Sequence, residues 1–88
     1  MIAPAQLQSI ADFVSTQVLS DALVQHLKRA FPEFHFTYCM DDDVCSSRPV
    51  VENQGFNLYL IDSSEHCLTF TQDAAIATGV VIAEIEYA

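Results

Sequence analysis

The side chains best suited to chemistry in this sequence are three cysteines (Cys39, Cys45, Cys67), three histidines (His26, His35, His66) and the acidic run Asp41, Asp42 and Asp43. Thiolate and imidazole are the preferred ligands of zinc and other soft metals. The spacing argues against such a site, because neither Cys-x-x-Cys nor His-x₃-His occurs, and strand alternation sets His66 on the face opposite Cys67. A nucleophilic cysteine needs an imidazole within reach. His35 and Cys39 share a strand face but lie four residues apart, about 13 Å. Contact of Cys67 with His35 across strands depends on strand order, which sequence does not fix, and no other nucleophile and base pair emerges, so the chain reads as non-enzymatic, with no cofactor and no metal. The aspartate run could hold a hard cation through its carboxylates, yet it lacks the alternating acids and following glycine of a calcium loop. It reads as a solvated acidic loop, Asp41 to Asp43, that repels edge association or offers charge to a basic partner. Arg48, in the same loop, is placed to pair with one of these carboxylates.

The elements that must carry these residues follow from periodicity. Leu7, Ile10, Ala11, Val14 and Val18 recur at spacings of three and four, the stripe of a helix, and Pro4 suits its first turn. Leu19, Leu23, Leu27, Ala30 and Phe31 repeat that spacing about half a turn away, so one straight helix would need two opposite buried faces. A break near Leu19 resolves the conflict. Ser20 is a good N-cap, Asp21 favours the positive helix end, and Leu19 can staple onto Val24. The expected helices are 4–17 and 21–31, the second closed by Lys28, Arg29 and Pro32.

Strand patterns fill the remainder. Phe34, Phe36, Tyr38 and Met40 alternate with His35, Thr37 and Cys39, which predicts a half-buried strand over 34–40. The stretch 41–54 has little periodicity and reads as one long loop. Strands over 56–61 and 67–71 are expected to form a hairpin across Asp62 to His66, in a register that sets Leu60 against Leu68 and Leu58 against Phe70. Asp73 to Ile76 suits a single helical turn. The last strand, 78–87, is apolar on both faces over Val80 to Ile82, so it is either central in its sheet or covered by another chain. The expected fold is one α+β domain in ααββββ order, two N-terminal helices packed on one face of a four-stranded antiparallel sheet.

That alternation gathers His35, Thr37, Cys39, Asn57, Tyr59, Ile61, Cys67, Thr69 and Thr71 on the face away from the helices. Exposed sheet faces often carry Thr and Tyr for strand propensity alone. The alternative is a candidate binding face of His35, Cys39, Asn57, Tyr59, Cys67 and Thr69, for a small molecule or metal, with the acidic loop as a lid.

Charge narrows the partner. Twelve acidic residues against three basic ones give a formal charge of −9 in 88 residues, which disfavours nucleic acid and anionic membrane surfaces. Mean hydropathy is nevertheless positive, at +0.25. The surplus of apolar side chains points to a homodimer or a protein partner. The N-terminal segment lacks a basic start and a long apolar run, and no stretch nears about 18 apolar residues, so a cytoplasmic protein is expected. An odd number of cysteines in such a chain suits free thiols.

The segments Phe34-His-Phe-Thr-Tyr-Cys39, Met40-Asp-Asp-Asp-Val44, Gly55-Phe-Asn-Leu-Tyr-Leu60, His66-Cys-Leu-Thr-Phe-Thr71 and Ala77-Thr-Gly-Val-Val81 resemble a family of small bacterial proteins of unassigned function. The resemblance covers about residues 20 to 86. It implies a compact bacterial domain and transfers no activity and no functional residue.

Overall fold

The computed structural model describes residues 2–44, 48–63 and 69–85. Helix α1 spans Pro4–Ser15 and α2 spans Asp21–Ala30. Pro4 occupies the first turn of α1, where its missing N–H costs nothing, and the Gln6 side chain accepts the Ala3 N–H at 2.9 Å. The break between the helices lies where the two stripes conflict. Ser20 stands at the N-cap of α2 with extended backbone, but its hydroxyl makes no capping bond, and the Ser20 carbonyl accepts the Leu23 N–H at 3.1 Å. Because α1 stops at Ser15, Val18 leaves the expected stripe and is 84% exposed; Ala30 likewise faces solvent. Ile10, Ala11 and Val14 of α1 are buried together with Leu23, Val24 and Leu27 of α2.

The sheet has five strands: β1 (His35–Met40), β2 (Val51–Glu52), β3 (Phe56–Asp62), β4 (Thr69–Thr71) and β5 (Gly79–Glu84). Its order is β1-β5-β3, with β2 and β4 both on the outer edge of β3. The expected all-antiparallel sheet is therefore mixed: β5 runs antiparallel to β3 but parallel to β1. The first strand does not pair with the next in sequence. The last strand inserts beside it, between β1 and β3, which is the central position that its two apolar faces require. β2 lies within the expected loop 41–54, and two residues are too few to show a period. An exposed turn reverses the chain from β2 into β3, with Gly55 at φ +100°, a conformation that side-chain-bearing residues avoid.

The hairpin register also differs. Leu60 pairs with Thr71, Ile61 with Phe70 and Asp62 with Thr69, while Leu58 pairs with Val51 of β2. Paired residues share a face, so Thr69 and Thr71 move to the helix side and Phe70 to the other. The five-residue loop behind the expected register gives way to a closure at Asp62 and Thr69. Leu68, its proposed partner for Leu60, lies outside the described residues.

The main core lies between helices and sheet, where Phe36, Phe56, Leu58, Leu60, Val80 and Ile82 face the helical residues. Ile2, ahead of α1, joins it; its N–H donates to the Ala74 carbonyl at 2.9 Å. Ala74 belongs to the turn expected at Asp73 to Ile76. There the Asp73 carbonyl accepts from Ile76 and Ala77, and its carboxylate accepts the Ala75 N–H at 2.9 Å.

Candidate functional site

The far face of the sheet is built in rows by the register. His35, Gly79, Ile61 and Phe70 form one row, Thr37, Val81 and Tyr59 the next, and Cys39, Ala83 and Asn57 the third. Of the candidate binding residues, His35, Cys39, Asn57 and Tyr59 thus share this face. Thr69 does not, for the register reason above, and Cys67 lies outside the described residues, as do Cys45 and His66. His35 and Cys39 remain at opposite ends of their strand, as four-residue spacing demands. His35 is exposed and sits against Gly79 so closely that a Cβ there would meet the His35 carbonyl oxygen at 2.4 Å.

This face is not an open polar platform. Tyr59, Ile61, Val81 and Ala83 form a second buried cluster, against which Cys39 and Val44 pack. Phe70 meets Tyr59 edge-on, ring centroids 5.8 Å apart, and stays 46% exposed. The acidic run folds onto the same cluster. Asp41–Asp43 form a single 3₁₀ turn, and the Val44 N–H closes on the Asp41 carbonyl at 3.0 Å. Asp41 Oδ1 accepts the Tyr59 hydroxyl at 2.8 Å and the Asn57 amide at 3.0 Å. The carboxylate therefore serves as a clamp, drawing the chain that leaves β1 inward to β3. Asp42 and Asp43 remain exposed.

Electrostatics follow from this packing. Burial pushes the Cys39 thiol up, and the Asp43 and Asp41 carboxylates push it further. A thiol held protonated in this way is a poor nucleophile. Burial also raises Tyr59, helped by the bond to Asp41, while Asn57 acts in the opposite sense. On the helix side of the same sheet end, the Tyr38 hydroxyl donates to the Glu84 carboxylate, which with burial pushes Tyr38 up to about 12. Among the described residues no group of three or more His, Cys, Asp or Glu side chains is placed to hold a metal ion. Arg48 is exposed, and its carbonyl accepts from the Gln72 amide at 2.8 Å.

The model of a family of unknown function, DUF6129, matches residues 9–85. The chain belongs to that family. The match extends the resemblance seen in the sequence back into the second half of α1 and spans α2 and all five strands. No curated protein matches the chain, and no solved structure does.

Sequence reasoning missed three of these features. Phe70 reaches the far face only through the register of a three-residue strand. Val44 and Asp41 become part of the cluster only because the 3₁₀ turn folds back, and the Tyr38 to Glu84 bond needs the parallel pairing of β1 with β5. The one available signal was the acid placed directly after a strand that carries Cys39.

Proposed function

We propose that this protein is a non-enzymatic, acidic accessory protein that acts through contacts with a basic protein partner. The observation that carries the reading is how its polar groups are spent. Among the described residues, the place where candidate side chains converge is closed on itself, with the Tyr59 hydroxyl and the Asn57 amide both donating to Asp41. The exposed charge, by contrast, is predominantly acidic and spread over the surface: Asp12, Asp21, Glu33, Asp42, Asp43, Glu52 and Asp73 all face solvent, against Lys28, Arg29 and Arg48. Lys28 and Arg29 sit together in the last turn of α2, where they complement the helix end. An acidic surface of this kind steers a basic surface towards it and repels nucleic acid.

The apolar surplus that pointed to a homodimer is partly taken up inside the chain by the second cluster. That favours a different protein over a second copy. Native mass spectrometry of the chain isolated from its own cells tests the reading. A complex with a basic protein is expected at an ionic strength near ~0.1 M and its loss near ~1 M, where the Debye length falls to about 3 Å. A bare mass of 9.8 kDa under both conditions would refute it, and twice that mass would reassign the contacts to a homodimer.

A further inference from the structure

Among the described residues the sheet has one long edge without a neighbouring strand. The outer side of β3 is taken by β2 and β4, whereas among the described residues β1 pairs with β5 alone. The His35 N–H donates to the Thr78 carbonyl at 3.0 Å. In a parallel ladder the residue that donates to the adjacent strand also accepts from it, and alternate residues do the same. His35, Thr37 and Cys39 are thereby spent on β5, and Phe36, Tyr38 and Met40 turn their backbone N–H and C=O groups outward. The chain leaving Met40 turns away from this edge, because Asp41 is held by Asn57 and Tyr59 two strands inward.

Sheets ordinarily blunt such an edge with short strands, proline, charge or a bulge. The opposite edge follows that rule, split between a strand of two residues and one of three. β1 does not follow it. Six residues long, it has no proline and no Asp, Glu, Lys or Arg, and its pairing runs unbroken from His35 to Met40. The charge on the chain flanking the strand is all negative, with exposed Glu33 before it and exposed Asp42 and Asp43 after it, and the carboxylates acting on Tyr38 within it, Glu84 and Asp21, carry the same sign.

We propose that the outer edge of β1 takes an extended, basic segment of the partner protein as an added antiparallel strand, uncharged along His35 to Met40 and cationic at both ends. The proposal rests on the reading of the chain as an interaction protein and says where and what it binds. Backbone pairing supplies the adhesion, and the acidic ends select the sequence. A second copy is the poorer occupant. Two β1 strands paired antiparallel about their centres set the Glu33 end of each beside the Asp42 and Asp43 end of the other, carboxylate against carboxylate.

A synthetic peptide with two lysines at each end of six alternating threonines and valines tests this on the whole chain, read by amide exchange in NMR. Binding is expected to slow exchange at Phe36 and Tyr38 by about tenfold or more, with little change at β2 and β4. The same peptide with glutamates for lysines is expected to leave both amides unchanged. Met40→Pro removes one outward donor. The Met40 φ of −83° suits proline, and no internal bond is lost, so binding is expected to weaken about tenfold while Leu58 and Ile82 stay protected. Should that variant unfold, the exchange pattern of the native chain alone decides.

Protection at β2 or β4, or none, would overturn the proposal, as would equal binding of the glutamate peptide. Protection of Phe36 and Tyr38 that grows with protein concentration without peptide would assign the edge to a second copy and overturn it too. A cellular complex that survives Met40→Pro would leave the interaction reading standing and remove this edge from it.

Discussion

Replacing Asp41 with alanine should destabilise the fold far more than replacing its neighbour Asp42. Asp41 Oδ1 accepts two hydrogen bonds, from Tyr59 at 2.8 Å and Asn57 at 3.0 Å, whereas Asp42 is exposed. Hydrogen bonds to a charged acceptor contribute about 1.5 to 3 kcal/mol each, and a buried donor left unpaired costs about 1 to 3 kcal/mol. Tyr59 is only 4% exposed, so its hydroxyl recovers little from water, while half-buried Asn57 recovers more. Taking one nearly full loss and one partial loss gives roughly 2 to 3 kcal/mol. In a domain of this size that lowers Tm by roughly 10 to 20 °C. Urea unfolding followed by tyrosine fluorescence suits a chain without tryptophan. Asp42→Ala should stay within about 0.5 kcal/mol of the parent. Asp41→Asn, which keeps an acceptor oxygen, should fall between the two and lower the pH at which Tyr59 ionises. Equal stability of the Asp41→Ala and Asp42→Ala variants would refute the clamp.

Gly79→Ala should cost about 1 to 3 kcal/mol or more, since its Cβ would meet His35 backbone atoms at 2.4 and 3.0 Å and force β1 away from β5; a Tm unchanged by scanning calorimetry would count against the close approach. Stability should fall as the solution turns alkaline. Cys39, Tyr59 and Tyr38 hold their protons to a higher pH in the folded chain, so above about pH 9 to 10 it binds more protons than the unfolded chain, up to about 12 for Tyr38. Urea midpoints measured from pH 8 to 11 check the sign, and a midpoint rising with pH contradicts it. Iodoacetamide should label Cys39 slowly at neutral pH, by peptide mapping, because burial and two carboxylates keep the thiol protonated; rapid labelling would reopen thiol chemistry. Phe70→Ala should cost about 0.5 to 1.5 kcal/mol through its edge contact with Tyr59, less than Phe56→Ala in the main core at about 3 to 5 kcal/mol. Equal losses in thermal unfolding would mean that Phe70 is not the half-exposed margin of the second cluster.

Local physics made much of this protein legible without coordinates. The helix break near Leu19, the placement of Asp21, Lys28 and Arg29 at the ends of α2, and the alternation of Phe36 with His35 and Thr37 all depend on residues within a turn or two of one another. Chain periodicity therefore decided the two helices, the three longer strands and the sharing of one sheet face by His35, Cys39, Asn57 and Tyr59. Strand β5, apolar on both sides, even announced that it was central or covered. What periodicity cannot carry is which strand lies beside which. A two-residue β2 has no period, a three-residue β4 fits more than one register, and the parallel pairing of β1 with β5 joins segments some forty residues apart in sequence. Those non-local choices, made by packing over the whole chain, moved Thr69 off the far face and Phe70 onto it. They also turned Asp41 from a solvated acid into an acceptor for Tyr59 and left β1 at the edge. The acidic balance was a property of the residues themselves; the clamp and the open edge exist only in the fold.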